Sequence, residues 1–172
     1  NILNPLGMTA SGWTKAEVDQ TQFASRYIKG KAIPDYHLIT YPDGGLISST
    51  ADLSTYLIAM IKGYKGGSNF LPASAFQTML TDQFEQTPLK KTITKAEGRS
   101  GVFWDIFAKK GKVDIGHSGS DPGILSFMYF DPETGVGCLL MTNIDSEDKE
   151  VKNVLKMWEM LIKYRNETLA KK

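Results

Sequence analysis

The sequence predicts an α+β fold. An antiparallel β-sheet of about 3–4 strands carries a packed C-terminal helix, and a helical and loop region precedes it. Two observations lead there. The apolar period is helical in the first half, becomes strand-like after residue 100, and returns to helical near residue 147. The strand-like runs are joined by short links, and parallel neighbours would need a crossover of about a dozen residues or more. A chain of 172 residues, 41% hydrophobic and 23% charged, is long enough to bury a core. Residues 1–172 read as one domain or as a fragment of a larger one, with 1–99 helical or loop and 100–172 sheet plus helix.

Residues 1–48 are punctuated by Pro5, Gly7, Gly12, Gly30, Pro34, Pro42, Gly44 and Gly45, and read mostly as loops and turns. Thr14 and Glu17 fit a capping box, which predicts a short helix near 15–26. Leu53, Tyr56, Leu57, Met60 and Ile61 share one face of a helix over 50–62, with a capping-box-like start at Ser49 and a stop at Gly63. Pro72, Phe76, Met79 and Leu80 predict a second helix over 72–82. Residues 83–99, with the Lys/Thr-rich stretch at 89–95, read as a solvated connection. Strands are expected at 101–108, 112–117, 124–130 and 136–142, the last covered on both faces because 136–141 is apolar throughout. Val151, Val154, Leu155, Trp158, Leu161 and Ile162 mark the buried face of a closing helix at about 147–166. Asp145, Ser146, Glu147 and Asp148 would cap it.

Composition excludes several classes. Twenty basic and nineteen acidic residues leave a net charge of +1, so nucleic-acid binding has no electrostatic support. The single cysteine, Cys138, excludes a disulfide framework and a multi-cysteine zinc site. No cofactor and no metal are expected. No apolar run reaches the ~18 residues of a membrane helix. The chain opens Asn-Ile-Leu-Asn-Pro, has its first methionine at Met8 and shows no signal-peptide pattern. It is therefore expected to be cut from a longer one.

Gly116-His117-Ser118-Gly119-Ser120 ends one predicted strand and opens a turn toward Pro122-Gly123. A histidine and two serines among glycines suit an active-site edge, where ligands approach the backbone and free N–H groups hold an oxyanion. The simpler reading is a glycine-rich hairpin. His37 reads as a structural or surface residue, because two histidines without a carboxylate set are weak metal evidence. Cys138 reads as a small buried hydrophobe. Trp13, Trp104 and Trp158 read as core or rim residues. No Gly-x-Ser-x-Gly elbow is present, which weighs against a self-contained catalytic triad.

Several blocks then speak together. Asn4-Pro5-Leu6-Gly7-Met8-Thr9 resembles a "PLGM-T" block. Pro42-Asp43-Gly44-Gly45-Leu46-Ile47-Ser48-Ser49-Thr50-Ala51-Asp52-Leu53 resembles "P-A-G-G-L-x-S-T-x-x-D-L". Gly116-His117-Ser118-Gly119, Pro122-Gly123, Phe130-Asp131-Pro132-Glu133-Thr134-Gly135 and Thr142-Asn143 follow in the matching order. The ordered set resembles the C-terminal part of the serine β-lactamase-related family: class C β-lactamases, D-alanyl-D-alanine carboxypeptidases, other penicillin-binding proteins and related esterases.

The resemblance implies a partial β-lactamase/transpeptidase-like fold and acyl transfer on an amide or ester. It places the Ser-x-x-Lys nucleophile and the Tyr-x-Asn motif before Asn1, so this chain alone is expected to be inactive. His117-Ser118-Gly119 stands where the family has Lys-Thr-Gly, and the backbone N–H of Ser120 would be an oxyanion donor. A histidine, ordinarily of pKa near ~6.5, is mostly neutral where a lysine is charged, so recognition of a substrate carboxylate should weaken or depend on pH. Ser146-Glu147-Asp148-Lys149 and Tyr164-Arg165-Asn166 match the two missing motifs only as text, because both follow the sheet. The implied partner is a small-molecule or peptidoglycan-peptide substrate, and the implied compartment is periplasmic or otherwise extracytoplasmic. A non-catalytic binding module that kept the scaffold is the alternative, and a third possibility is a nucleophile from a separate chain. Truncation would leave an apolar patch open to self-association.

Overall fold

The computed structural model describes residues 2–67, 70–84, 99–109 and 111–169. The element order is α1 (Leu3–Leu6), β1 (Tyr27–Ile28), β2 (Lys31–Ala32), α2 (Tyr41–Gly44), α3 (Thr50–Tyr64), α4 (Ala73–Leu80), β3 (Arg99–Ser100), β4 (Asp105–Lys109), β5 (Lys112–Asp121), β6 (Ile124–Asp131), β7 (Val136–Thr142) and α5 (Val151–Tyr164). A π-helical turn, Arg165–Leu169, follows α5. The sheet has the order β3-β4-β5-β6-β7, and every neighbouring pair is antiparallel. The α+β class and the antiparallel sheet are as expected, with the short β3 as an additional strand.

Helix α3 starts where the Ser49 hydroxyl accepts the Asp52 N–H at 3.1 Å. Its Leu57 and Met60 join Phe76 and Leu80 of α4, Trp104, Ile106, Ile115 and Phe130 in the core. Phe130, with no exposed surface, is the centre of that layer. The opposite face of the sheet carries α5, whose Trp158 stacks on Phe127 at 5.3 Å. Strand β7 is thus covered on both faces, by Leu57 against Gly137 and by α5 near Cys138. Its outer edge pairs with no strand among the described residues.

Four local expectations are corrected. Residues 15–26 form two separate 3₁₀ turns, Lys15–Glu17 and Gln20–Gln22, rather than one helix. The Thr14–Glu17 capping box is present, but the Asp19 side chain accepts from Thr21 N and starts a second turn. The strand expected at 101–108 begins only at Asp105. The chain before it is clamped to the end of α4 through Val102 N–H to Met79 O, and Phe103 takes a left-handed φ of 60°.

The closing helix begins at Val151 rather than near 147, because Asp145 accepts from Glu147 N in a preceding turn and Ser146 caps nothing. Leu155 and Leu161, expected to be buried, are 43% and 36% exposed. They lie at the two margins of a wide apolar stripe whose middle faces the sheet. The expected solvated connection, with its Lys/Thr-rich stretch, lies largely outside the described residues.

Phe130→Ala should destabilise the fold by about 3–5 kcal/mol, read from urea unfolding.

Candidate active site

Strand β5 changes character along its length. Residues 112–116 pair with β4, Ile115 and Gly116 pair with β6 as well, and the last pair with β4 is Asp105↔Gly116. From His117 to Asp121 the strand pairs, among the described residues, with β6 alone. The expected end of this strand at residue 117 is therefore corrected. Gly116-His117-Ser118-Gly119-Ser120 lies within the strand, its part from His117 onward as a free edge, and the turn comes at Pro122-Gly123. A free edge offers unpaired N–H and C=O groups to a ligand.

The strand period divides the candidate residues between two faces. His117 pairs with Met128, which packs on the core, so His117, Gly119 and Asp121 share the face of α3 and α4. Ser118 pairs with Phe127, so Ser118 and Ser120 lie on the α5 face. His117, Ser118 and Ser120 are all exposed.

Gly116 is a steric requirement: a Cβ there would stand 2.2 Å from Met128 O and 2.3 Å from the Tyr129 ring. The Tyr129 hydroxyl donates to Asp105 Oδ2 at 3.1 Å and is hydrogen-bonded to Ser118. Burial pushes this phenol well above its ordinary pKa, so it stays protonated and braces the base of the free edge.

The turn after the edge is tied on two sides. Tyr36 donates to Pro122 O at 3.0 Å, and Gly123 N–H reaches Asp145 Oδ2 at 3.1 Å. The backbone N–H groups of Glu147 and Gly123 hold the Asp145 carboxyl below the usual carboxylate range. The N-terminal blocks are joined in turn by Asp52. Its carboxylate accepts Ala10 N–H at 2.8 Å and the Ser11 hydroxyl at 2.7 Å. Asn143, directly after β7, donates to Ser25 O at 2.8 Å.

These ties enclose a cavity of about 600 Å³ that touches the free edge at Asp121. Trp13, Phe23, Tyr36 and Tyr41 supply aromatic walls, and His37, exposed, stands among the lining residues. Arg26 lies 3.9 Å over the Tyr36 ring and pairs with Asp35 at 3.1 Å. Its buried Nε has no hydrogen-bond acceptor among the described residues. Arg26, Asp121 and Trp13 were not singled out as site residues from the sequence. The only signal was the recurrence of aromatic side chains through residues 13–41.

The remaining candidates lie elsewhere. Ser146 stands in the turn before α5, where Lys149 pairs with Glu150. Tyr164 ends α5 and is 57% exposed, while the neighbouring Arg165 is buried and paired with Asp114. Burial raises the Cys138 thiol pKa, which makes it a poor nucleophile. Among the described residues no group of three or more His, Cys, Asp or Glu could hold a metal ion, and no helix is long and apolar enough to cross a membrane.

A family model described as Beta-lactamase matches residues 1–157. The chain belongs to the β-lactamase family. Solved structures of similar fold include the octameric penicillin-binding protein homologue from Pyrococcus abyssi, 27% identical, with a TM-score of 0.65 over 83% of this chain and 32% of that one. The D-amino acid amidase from Ochrobactrum anthropi SV3, complexed with L-phenylalanine amide, is 21% identical, with a TM-score of 0.66 over 94% and 48%. A penicillin-binding protein from Bacillus halodurans is 18% identical, with a TM-score of 0.66 over 91% and 47%. The β-lactamase-family chain thus spans a third to a half of the length of these structures. No curated protein sequence matches it.

Two outcomes test the bracing of this β-lactamase-family site. Asp52→Ala should cost about 1–3 kcal/mol by urea unfolding, since it strands the Ala10 N–H and leaves the Ser11 hydroxyl only Ser48. Asp145 contributes stability above its ordinary pKa and loses it as pH falls through its lower folded value. Wild type should therefore lose more stability than Asp145→Asn below about pH 4 in an acid titration followed by circular dichroism.

Proposed function

We propose that the chain forms one wall of a serine acyl-transfer site that hydrolyses an amide or ester, such as a D-Ala-D-Ala peptide, a β-lactam or a simple ester. The observation that carries this reading is the free edge of β5 over His117–Asp121, beside a cavity of about 600 Å³, in a chain of the β-lactamase family. The backbone N–H of Ser120 is one oxyanion donor. His117 faces the helical layer beside the reacting group, and Gly119 leaves room for substrate along the edge. Ser118 keeps the edge in place through Tyr129.

The nucleophile is a serine of a Ser-x-x-Lys motif outside these residues. It attacks the carbonyl carbon, and the oxygen takes the negative charge in the oxyanion site. The leaving amine or alcohol departs with a proton. Water then releases the acid from the acyl-enzyme. The lysine of that motif and the tyrosine of Tyr-x-Asn move the protons. In this reading the protein works outside the cytoplasm.

The rest of the fold also has a place to dock. The outer edge of β7, which pairs with no strand among the described residues, offers a docking line, and Met157 and Met160 of α5 are exposed apolar groups besides. It supports either the remainder of a longer chain or self-association of this one.

Nitrocefin and p-nitrophenyl ester hydrolysis test the reading. The 172-residue chain alone should be inert, and a chain extended upstream through Ser-x-x-Lys and Tyr-x-Asn should turn over. In the extended protein His117→Ala should lower kcat/KM by roughly 10²-fold. Turnover by the short chain, abolished by His117→Ala, would overturn the placement of the nucleophile. An extended chain inert toward every amide and ester tried would leave a binding module instead.

A further inference from the structure

Phe103 stands at the end of the free edge away from the cavity. It is 89% exposed, and its φ of 60° lies in the left-handed region. For an aromatic residue that conformation is an outlier, whereas glycine adopts it without steric cost. Such outliers persist where the surrounding structure over-determines them, and they gather at ligand sites.

The surroundings of Phe103 do over-determine it. Val102 N–H donates to Met79 O at 3.0 Å, and Gly101 N–H donates to Trp104 O at 2.7 Å. The Ser100 hydroxyl donates to Gly101 O at 2.9 Å. A Cβ on Gly101 would collide with Met79 O, so the backbone passes α4 with no slack. Trp104, 5% exposed, stacks on Tyr56 at 6.3 Å and meets Phe130 edge-on at 6.5 Å. Both flanks of Phe103 are thus held, while the described residues cover little of its ring. Burial does not account for the arrangement, because the apolar surface of the ring stays in water.

The place of Phe103 in the sheet gives the ring something to meet. Strand β4 pairs with β5 as far as Asp105↔Gly116. Trp104 and Phe103 come next along the line of β4, beside the start of the free edge, and there the backbone leaves for α4. A ligand laid along His117–Asp121 occupies the line that β4 vacates. Its end nearest His117 runs up against Phe103. The cavity touches the same edge at Asp121, the opposite end. Ser120 lies between the two.

We propose that Phe103 is a specificity-determining residue, the apolar end wall of the β5 edge, which packs against an apolar group on the half of the substrate that points away from the cavity. Covering the ring with such a group removes two apolar surfaces from water at once, and a strongly hydrated group in the same place gains nothing. The inference rests on the hydrolase reading for the line that the substrate takes. The left-handed backbone is what turns the ring outward to meet the ligand instead of inward to the core.

Phe103→Gly and Phe103→Asn test it through two readouts. Both replacements accept a φ of 60°, so urea unfolding of the 172-residue chain should show an unchanged or higher midpoint for at least Phe103→Asn. Activity is read in the protein extended upstream through Ser-x-x-Lys and Tyr-x-Asn. Benzyl acetate and methyl phenylacetate carry a ring on opposite sides of the same ester, and methyl acetate carries none. In Phe103→Gly, kcat/KM for one of the two ring-bearing esters should fall by roughly fivefold or more, with the other and methyl acetate changed by less than about twofold. Phe103→Tyr should keep the wild-type preference.

A similar loss for all three esters, no loss for any, or a lower urea midpoint in both variants would overturn the proposal. The first makes Phe103 a prop of the machinery, the second leaves it outside the site, and the third makes it a packing residue. Ester hydrolysis that ignores Phe103 would sink this inference and keep the hydrolase. An extended protein inert toward every amide and ester tried would sink the hydrolase reading, and ligand-observed NMR of the same esters on the 172-residue chain then decides. A preference for one ring-bearing ester that Phe103→Gly abolishes keeps the wall, and its absence removes it.

Discussion

The close approach of α3 to the sheet is the constraint on which the rest of the structure depends. Gly137 of β7 has no room for a side chain, because a Cβ there would stand 2.6 Å from Leu57 of α3. At the other end of the helix, Gly63 lies where a Cβ would stand 2.2 Å from the Phe76 ring of α4. Two glycines thus let helix meet strand and helix meet helix at van der Waals distance. Phe130, Met60 and Leu80 fill the seam so completely that 1% or less of each remains exposed. Interiors packed to this density transmit position, so whatever is attached to α3 is held in a defined place relative to β5.

What is attached to α3 is the N-terminal half of the candidate site. Asp52, one turn into the helix, binds the backbone at Ala10 and the hydroxyl of Ser11. Gly12 and Ile47 exchange backbone hydrogen bonds beside it. The loops through residues 13–48 therefore hang between α3 and the β5–β6 turn, where Tyr36 and Arg26 meet Pro122 and Gly123. The cavity is the space these loops cannot fill. On the far side the sheet is held by α5 and by Arg165, a buried guanidinium on Asp114. Both layers bear on β5 from opposite faces, leaving its free edge as a rigid rim.

Much of this was legible in one dimension. The α3 and α4 periods, the β6 and β7 runs and the Asp131–Gly135 turn are local: Asp131 Oδ1 accepts Glu133 N and Thr134 N, and Gly135 takes φ 72°. The motif blocks also share a physical basis, since Asp52 reads as a capping residue in the sequence and acts as the hub between two blocks in the structure. The 15–26 segment was misread because a capping box signals a start and not a length, and only Val18 and Phe23 were available to hold a helix to the core. The ladder fails at 101–104 because the backbone there is tied to the end of α4, Val102 N–H on Met79 O, which no local period records.

By itself the sequence determined the α+β class, the antiparallel order of the main strands, the family and the Gly116–Ser120 segment as the place to look. The class and the strand order follow from near-neighbour spacing, whose helical and strand periods are written along the chain, while the family and the segment come from the resemblance of the ordered motif blocks. Only the tertiary structure decided that His117 and Asp121 share one face while Ser118 and Ser120 take the other. It also decided that β5 loses its partner strand at Gly116, and that Arg26, Asp121 and Trp13, separated by many residues, meet around one cavity. Facing and enclosure depend on where distant segments stop and what they are tied to, and no local period records that.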